Sequence, residues 1–349
     1  MTDAKDIYFL TMDNISDYMG CDDKKLTDLE LGKRVKLNLS LSQKNNVLEK
    51  KKLLLNNCLL TFKLFEQNIP AELIVAVYCE LVKTQILYSL EEAQNSISTL
   101  YEKYNLFSID EKNKYSNMVI KALYLFVEKA YNKEQYEIFV DAVEKLEKIY
   151  TENDKNDEMN FYYAKSIALY GSLLFAIKQY DKAYSLIFNA YKIVELVSND
   201  IEEKIETLAY LSFSLGNILF QADVNDEAKK YFIKSINICN DYNFDSKFEI
   251  MQLAYNYLSQ LQVCIKDYDE AIEIINQYFQ ATKDLFIGDE YNYVCGEFNF
   301  RIGLIYNKFK NNQKLCHEYM NIAKNILNKI ENKNDSVLNL LDRIEEYLR

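Results

Sequence analysis

Few residues in this 349-residue chain could carry out catalysis. His317 is its only histidine, which excludes most catalytic triads and most zinc sites that use imidazole. The seven cysteines are scattered and form no CxxC pair, a pattern typical of free thiols in a reducing compartment. The sequence also lacks the GxGxxG, GxxxxGKS and GxxxxGKT motifs that bind phosphates. We therefore predict no catalytic residue, no metal site and no cofactor.

Binding to a polyanion is a chemistry that the charge distribution does indicate. The chain has a net charge of −12, yet residues 24–63 contain ten Lys or Arg and only three acidic residues. Residues 1–23 contain six Asp and a single Lys. A basic segment in an acidic chain is typical of a surface that contacts nucleic acid. A solvated helix face, or a docking site for an acidic protein, would give the same pattern.

The segment ISDYMGCDDKKLTDLELGKR, residues 15–34, has the order of apolar residues that a helix-turn-helix requires. Gly20 could adopt the turn conformation, and Leu26 and Leu29 follow it by six and nine residues. Gly32 would end the second helix. The acidic residues of that helix depart from the pattern, so we predict a degenerate helix-turn-helix. Its predicted DNA-binding residues are Lys24, Lys25, Thr27, Lys33, Arg34 and Lys36.

The rest of the chain contains a repeat of about 44 residues. In three copies a small residue, Gly171, Gly216 or Ser259, is followed twelve positions later by an alanine. The later members are Ala183, Ala228 and Ala271, and a weaker fourth copy pairs Gly303 with Leu315. Extending the period towards the N-terminus reaches Phe139 and Ala93. Small residues let two helices approach closely, and a single proline favours long helices over a sheet. We therefore predict an all-α chain of helix pairs.

The spacing of small residues resembles the tetratricopeptide repeat (TPR), whose usual period is about 34 residues. The longer period implies helices extended by a turn or more. The resemblance implies a right-handed, TPR-like α-solenoid over residues 41–349, preceded by the helix-turn-helix head over residues 1–40. The final segment carries an apolar stripe, predicted either to cap the preceding helix or to form a homodimer contact. The stripe consists of Val337, Leu340, Leu341, Ile344 and Leu348.

The first helix of each pair lines the concave face in repeats of this class. The position after the small residue, and those one turn away, then face inward. Amide side chains can pair with the backbone of an extended peptide, and rings can contact its side chains. Arg301 could bind a peptide carboxylate or could pair with Glu297 one turn earlier. The predicted peptide-binding residues are Tyr124, Asn132, Phe175, Phe213, Asn217, Gln221, Asn256, Gln260, Phe300, Arg301 and Asn307.

A helix-turn-helix followed by a stretched TPR-like solenoid resembles the peptide-sensing regulators of Gram-positive bacteria and their phages, the RRNPP superfamily. It is most similar to the AimR-type arbitrium receptors, quorum-sensing transcription regulators of phage lysis and lysogeny. This resemblance implies a cytoplasmic homodimer, joined through its C-terminal helices, that binds a short signalling peptide and a double-stranded DNA operator. Peptide binding would change the superhelical pitch or the dimer arrangement, and with it the match to two half-sites.

Two other functions are compatible with the same sequence. A Rap-like TPR protein would bind or dephosphorylate a response regulator, and its basic N-terminal region would then contact an acidic protein surface. A TPR scaffold for protein–protein interaction would need neither DNA nor peptide. We predict no membrane contact, because the sequence has no stretch of about 18 apolar residues.

Overall fold

The computed structural model describes residues 28–44, 46–65, 69–198, 200–201, 203–282 and 288–349. Every regular element in these ranges is an α-helix, which confirms the all-α prediction. The helices are α1 (Asp28–Lys44), α2 (Leu48–Phe65), α3 (Ala71–Gln85), α4 (Leu90–Asn105), α5 (Ile109–Asn132), α6 (Tyr136–Glu152), α7 (Asp157–Ala176), α8 (Tyr180–Leu196), α9 (Lys204–Gln221), α10 (Asn225–Asp241), α11 (Lys247–Cys264), α12 (Tyr268–Thr282), α13 (Asp289–Lys308), α14 (Gln313–Leu327) and α15 (Asp335–Leu348).

The described helices belong to two compact units. Unit 1 lies within Met1–Leu173 and Leu196–Ile201, and unit 2 within Leu174–Glu195 and Glu202–Arg349. In unit 1, α1, α2 and α3 pack together, and α5 packs against α3, α4 and α6. In unit 2, the main pairs are α9 with α10, α11 with α12, and α13 with α14. Short connections make the helices of each pair antiparallel, as TPR-like repeats require.

The tight turns between paired helices each contain a residue in the left-handed region of backbone space. These residues are Glu134 (φ 57°), Lys178 (φ 63°), Asp223 (φ 59°), Lys266 (φ 69°) and Asn311 (φ 47°). They recur every 43 to 45 residues, so the predicted period is confirmed. A left-handed residue after a helix lets the chain reverse and satisfies the last backbone carbonyls. Glycine is the usual residue there, and none of these five positions holds one.

Replacing Lys266 by glycine is expected to raise the free energy of unfolding by about 1 kcal/mol. A residue with a Cβ is strained at φ 69°, whereas glycine adopts that angle without a steric penalty. The matched control is Lys230→Gly in the exposed interior of α10, where glycine should lower the free energy by about 1 kcal/mol. Urea unfolding measures both, and effects of equal sign would contradict the assigned backbone conformation.

The small residues of the repeat lie where two helices touch. Ala228 and Ala271 are fully buried, and an added Cβ at Gly216 would come within 2.7 Å of the Phe232 ring. The same substitution at Gly303 would bring the new Cβ to 3.3 Å from the backbone oxygen of Cys316. The predicted residue types are therefore required by close helix contact.

The fourth copy differs from the sequence prediction at one position. Cys316, 2% exposed, fills the place that alanine holds in the other copies, whereas Leu315 is only partly buried. The reason is the turn between α13 and α14, which has four residues instead of three. The pairing of Gly303 with Leu315 was therefore wrong by one residue.

Helix α1 does not end at Gly32 as predicted, because it continues from Asp28 to Lys44. Glycine inside a helix costs about 1 kcal/mol relative to alanine. Packing outweighs that cost, since Val35 and Leu39 are buried in a core shared with α2 and α3. Apolar contact on the far side of the glycine thus keeps the helix continuous.

The apolar stripe of α15 packs inside its own chain. Val337, Leu340 and Ile344 are buried in one core with Met320 and Leu327 of α14. The stripe therefore caps the last helix pair, which is the first of the two predicted roles. A dimer contact on α15 would have to use other side chains, because these three are already covered.

Candidate functional site

A network of polar side chains lies on the surface formed by the first helices of the unit 2 pairs, α9, α11 and α13, which we call the first-helix face. The Oδ1 atom of Asn256 accepts a hydrogen bond from Nε2 of Gln260 at 2.7 Å and another from Nη1 of Arg301. Arg301 also donates through Nη2 to Oε1 of Glu297 at 2.6 Å, and its guanidinium lies 5.6 Å from the centre of the Phe298 ring. The network therefore joins α11 to α13.

The arrangement leaves one donor and one acceptor side by side. Asn256 and Gln260 are half-buried, and in the described part of the chain neither Nδ2 of Asn256 nor Oε1 of Gln260 takes part in another hydrogen bond. A peptide unit presents one carbonyl acceptor and one N–H donor. The two amides can therefore pair with the backbone of an extended ligand independently of its side chains.

Asn217 extends the first-helix face onto α9. It lies one turn from both Phe213 and Phe220, whose rings are 5.5 and 6.3 Å from the Tyr257 ring of α11. The Oδ1 atom of Asn217 is buried and has no hydrogen-bond partner among the described residues. A buried carbonyl without a partner costs about 1–3 kcal/mol, so a donor that reaches this amide stabilises it.

Arg301 forms an ion pair with Glu297, which is the second of the two roles predicted for it. The side chains are 24% and 31% exposed, so solvent screens the pair only partly. A ligand carboxylate would have to compete with Glu297 for the guanidinium. Charge at this site is therefore balanced before any ligand binds.

Three aromatic residues predicted to contact a peptide are packed in the core. Tyr124, Phe213 and Phe300 are 3%, 7% and 3% exposed. The Phe300 ring lies 6.1 Å from that of Tyr347 and 4.8 Å from the guanidinium of Arg343, both on α15. The Tyr124 ring stacks on that of Tyr162 at 5.1 Å in unit 1, and the Phe213 ring packs on that of Tyr257 in unit 2, so all three rings contact neighbouring helices.

The other predicted peptide-binding residues are spread over both units. Asn132 and Gln221 are exposed at the ends of α5 and α9, and Asn307 is half-buried near the end of α13. Phe175 packs its ring 5.6 Å from that of Tyr180. The structure thus brings Asn256, Gln260 and Arg301 into direct contact and leaves these four outside the network.

The predicted DNA-binding residues lie at the edge of what the structure describes. Lys24, Lys25 and Thr27 fall outside the described residues. Lys33 and Arg34 lie within α1, and Lys36 on the same helix is exposed. These contacts therefore stay predictions.

Part of the basic segment is neutralised within the chain. Lys51 pairs with the buried carboxylate of Glu80 at 3.1 Å, and Lys52 pairs with Glu49 at 3.2 Å while lying 3.6 Å above the Tyr88 ring. Four other lysines of α1 and α2 are exposed to solvent: Lys36, Lys44, Lys50 and Lys63.

Burial suppresses the reactivity of several thiols. It raises the pKa of Cys58, Cys79 and Cys239 to about 12, so these groups stay protonated at neutral pH and are poor nucleophiles.

Among the described residues, no group of three His, Cys, Asp or Glu side chains could hold a metal ion. No helix in the same part of the chain combines the length and apolar character that crossing a bilayer would need.

Tyr257 is a residue of the first-helix face that the sequence prediction missed. It stands two positions before Ser259, just as Arg301 stands two positions before Gly303. Aligning the copies at that position would have identified it. The prediction instead followed the residues next to each small residue and one turn away.

No family model matches this sequence, and no curated protein matches it. Solved structures do resemble the chain. BtubC from P. vanneervenii aligns with a TM-score of 0.51 and 16% identity over 70% of this chain and 93% of that one. The apo form of RapI aligns with a TM-score of 0.50 and 13% identity over 79% and 95%. Aspartyl phosphate phosphatase F from Bacillus subtilis covers 90% of this chain and 87% of its own, with a TM-score of 0.47 and 16% identity.

At these identities the likeness bears on the fold alone. The fold of the first two structures is consistent with the antiparallel helix pairs of this chain and with its regularly spaced left-handed turns. The chain has the TPR-like helical-repeat fold.

Proposed function

We propose that this protein is a peptide-responsive transcription regulator of the arbitrium type. A short peptide binds in extended form on the first-helix face of unit 2, and the basic N-terminal region binds the operator DNA. Peptide binding changes the packing between successive helix pairs, and the change alters the affinity for DNA. The protein acts by binding and catalyses no reaction.

The hydrogen-bond network of Asn256, Gln260 and Arg301 is the observation that carries this proposal. It combines an unused donor and an unused acceptor on a half-buried surface with a charge pair at one end. Such a surface suits the backbone of a short peptide, because amide groups recognise peptide bonds and need no particular side chain. The network also joins α11 to α13, so a ligand that binds it bears on the packing of two repeats.

The DNA-binding part of the proposal is supported by charge. The exposed lysines of α1 and α2 belong to the segment with ten basic and three acidic residues. A dimer would present two such segments to two half-sites. Because the main stripe of α15 is covered, self-association would involve exposed residues such as Leu338, which is 46% exposed.

Replacing Asn256 by leucine is expected to weaken peptide binding by about tenfold to a hundredfold. The change removes the unused amide donor and the oxygen that orients Gln260 and Arg301, and each lost hydrogen bond contributes about 1 kcal/mol or more. Isothermal titration calorimetry measures the dissociation constant. The ligands to be tested are synthetic peptides taken from short open reading frames beside the gene that carry a secretion signal.

The matched control is Asn276→Leu, an identical substitution at an exposed position of α12. It should leave the peptide dissociation constant unchanged. Equal losses in the two variants, or no loss at Asn256, would rule out this network as the site. If no DNA binds the wild-type chain even at low salt, the Rap-like function gains support instead.

A further inference from the structure

Unit 1 contains an open cleft on a surface that the proposed peptide site does not use. Its volume is about 390 Å³, and a smaller cleft of about 200 Å³ adjoins it, with Gln85 and Glu92 lining both. Helices α2 and α4 form the walls, and α3 forms the floor. Since α3 is antiparallel to both neighbours, the two walls run in the same direction.

Each wall presents a stripe of side chains at helical spacing. The α2 wall contributes Leu59, Phe62 and Lys63, so it is apolar with a cation near its C-terminal end. The α4 wall is polar and runs from Glu92 to Lys103. At 1.5 Å per residue this stripe is about 16 Å long, the length of about three helical turns.

The floor of the cleft contains a carbonyl oxygen with no hydrogen-bond partner in the described residues. Gln85 is 9% exposed, and its Oε1 atom is buried and unpaired. Its neighbour in the floor, Tyr78, is half-buried and packs its ring 6.2 Å from that of Phe62. A buried, unpaired acceptor is unfavourable, so a ligand that brings a donor to Gln85 gains affinity.

Charge is distributed unevenly along the cleft. Lys63 and Lys103 lie at the end where α2 and α4 both terminate. At the opposite end Glu92 already accepts a hydrogen bond from the Tyr88 hydroxyl at 3.0 Å. A ligand whose negative charge is concentrated at one end therefore matches the cleft in a single orientation.

We propose that this cleft binds an amphipathic helix of a partner protein, with acidic residues in one terminal turn. Its apolar side chains pack on Leu59 and Tyr78, its acidic turn meets the exposed Lys63, and a polar side chain donates to Gln85. A helix fits because the walls are two parallel helices, and the α4 wall presents side chains at helical spacing over about three turns. The proposal does not depend on the peptide site of unit 2, and it shares one residue, Lys63, with the basic segment proposed to bind DNA.

The test is affinity selection with the full-length chain on a displayed library of helical peptides about 14 residues long. Apolar residues are fixed at positions i, i+4 and i+7 of each peptide, and the other positions are random. The selected helices are expected to carry Asp or Glu in one terminal turn. Fluorescence anisotropy on the purified peptides should show a loss of about tenfold or more with Lys63→Glu. Lys50→Glu alters an exposed lysine of α2 that does not line the cleft, so it should leave the affinity for the selected helices unchanged.

A second variant, Thr99→Trp, fills the cleft from α4 without changing its charge and should abolish binding. Circular dichroism checks that both variants keep the helical content of the wild type. The proposal is overturned if no helix is selected, or if the selected helices lack acidic residues. It is also overturned if they bind Lys63→Glu and Thr99→Trp as tightly as the wild type, or lose binding with Asn256→Leu instead.

Discussion

Replacing Phe232 by alanine is expected to lower the free energy of unfolding by about 3–5 kcal/mol. The ring is fully buried in the core of unit 2, with its centre 6.1 Å from those of Phe213 and Tyr257. The ring also packs directly over Gly216, where an added Cβ would come within 2.7 Å of it. Chemical unfolding followed by circular dichroism measures the loss.

The adjacent residue provides the control for this prediction. Ile233 follows Phe232 on the same helix but is 38% exposed, so Ile233→Ala should change the free energy by no more than about 1 kcal/mol. Gly216→Ala should cost about 1–3 kcal/mol in the wild type and little when Phe232 is alanine, because the new methyl group then has room. Equal effects at positions 232 and 233 would mean that the helix pair packs in another register.

The second large effect is expected at the N-terminal basic segment. Reversing the charge of Lys33 and Arg34 to glutamate should reduce the affinity for the DNA flanking the gene by about a hundredfold or more. Two cations that we propose to contact phosphates are replaced by anions that would repel them, and each such contact would also contribute to the salt dependence. A mobility-shift assay with salt titration should show a steep loss of wild-type affinity as salt rises, and a shallower dependence for the variant.

The control is a second double variant with the same net charge as Lys33→Glu with Arg34→Glu. Lys308→Glu with Lys329→Glu alters two exposed lysines of unit 2 and shifts the total charge equally. If both double variants lose affinity to the same degree, a nonspecific effect of net charge explains the loss. DNA binding that resists the change at residues 33 and 34 would contradict the proposed DNA-binding surface.

The helical repeat could be predicted from sequence because its determinants are local. Buried alanines and glycines recur at a fixed interval, and Gly216 and Ala228 lie where the spacing predicted them. The left-handed turns could not be predicted from sequence, because residues such as Lys178 and Lys266 occupy positions where glycine is usual. Tertiary packing of the two helices fixes those angles, and sequence propensity does not.

The differences from the sequence predictions arise from packing between helices and from the length of one turn. Phe300 has the spacing of a groove residue, but α15 packs against its ring. The Leu315 assignment failed because one extra residue in a turn shifts every later position. The cleft of unit 1 could not be predicted from sequence, because three different helices form its walls and floor. No periodic pattern in one helix predicts such a site.

Measuring the dissociation constant for the operator DNA with and without saturating peptide tests the central claim most directly. We predict a change of about fivefold to 150-fold in the wild type, with peptide affinity changing by the same factor when DNA is bound. In Asn256→Leu the same change in DNA binding should require a peptide concentration about tenfold to a hundredfold higher. Identical DNA titrations with and without peptide, when calorimetry shows the wild-type peptide site to be full, would contradict the account.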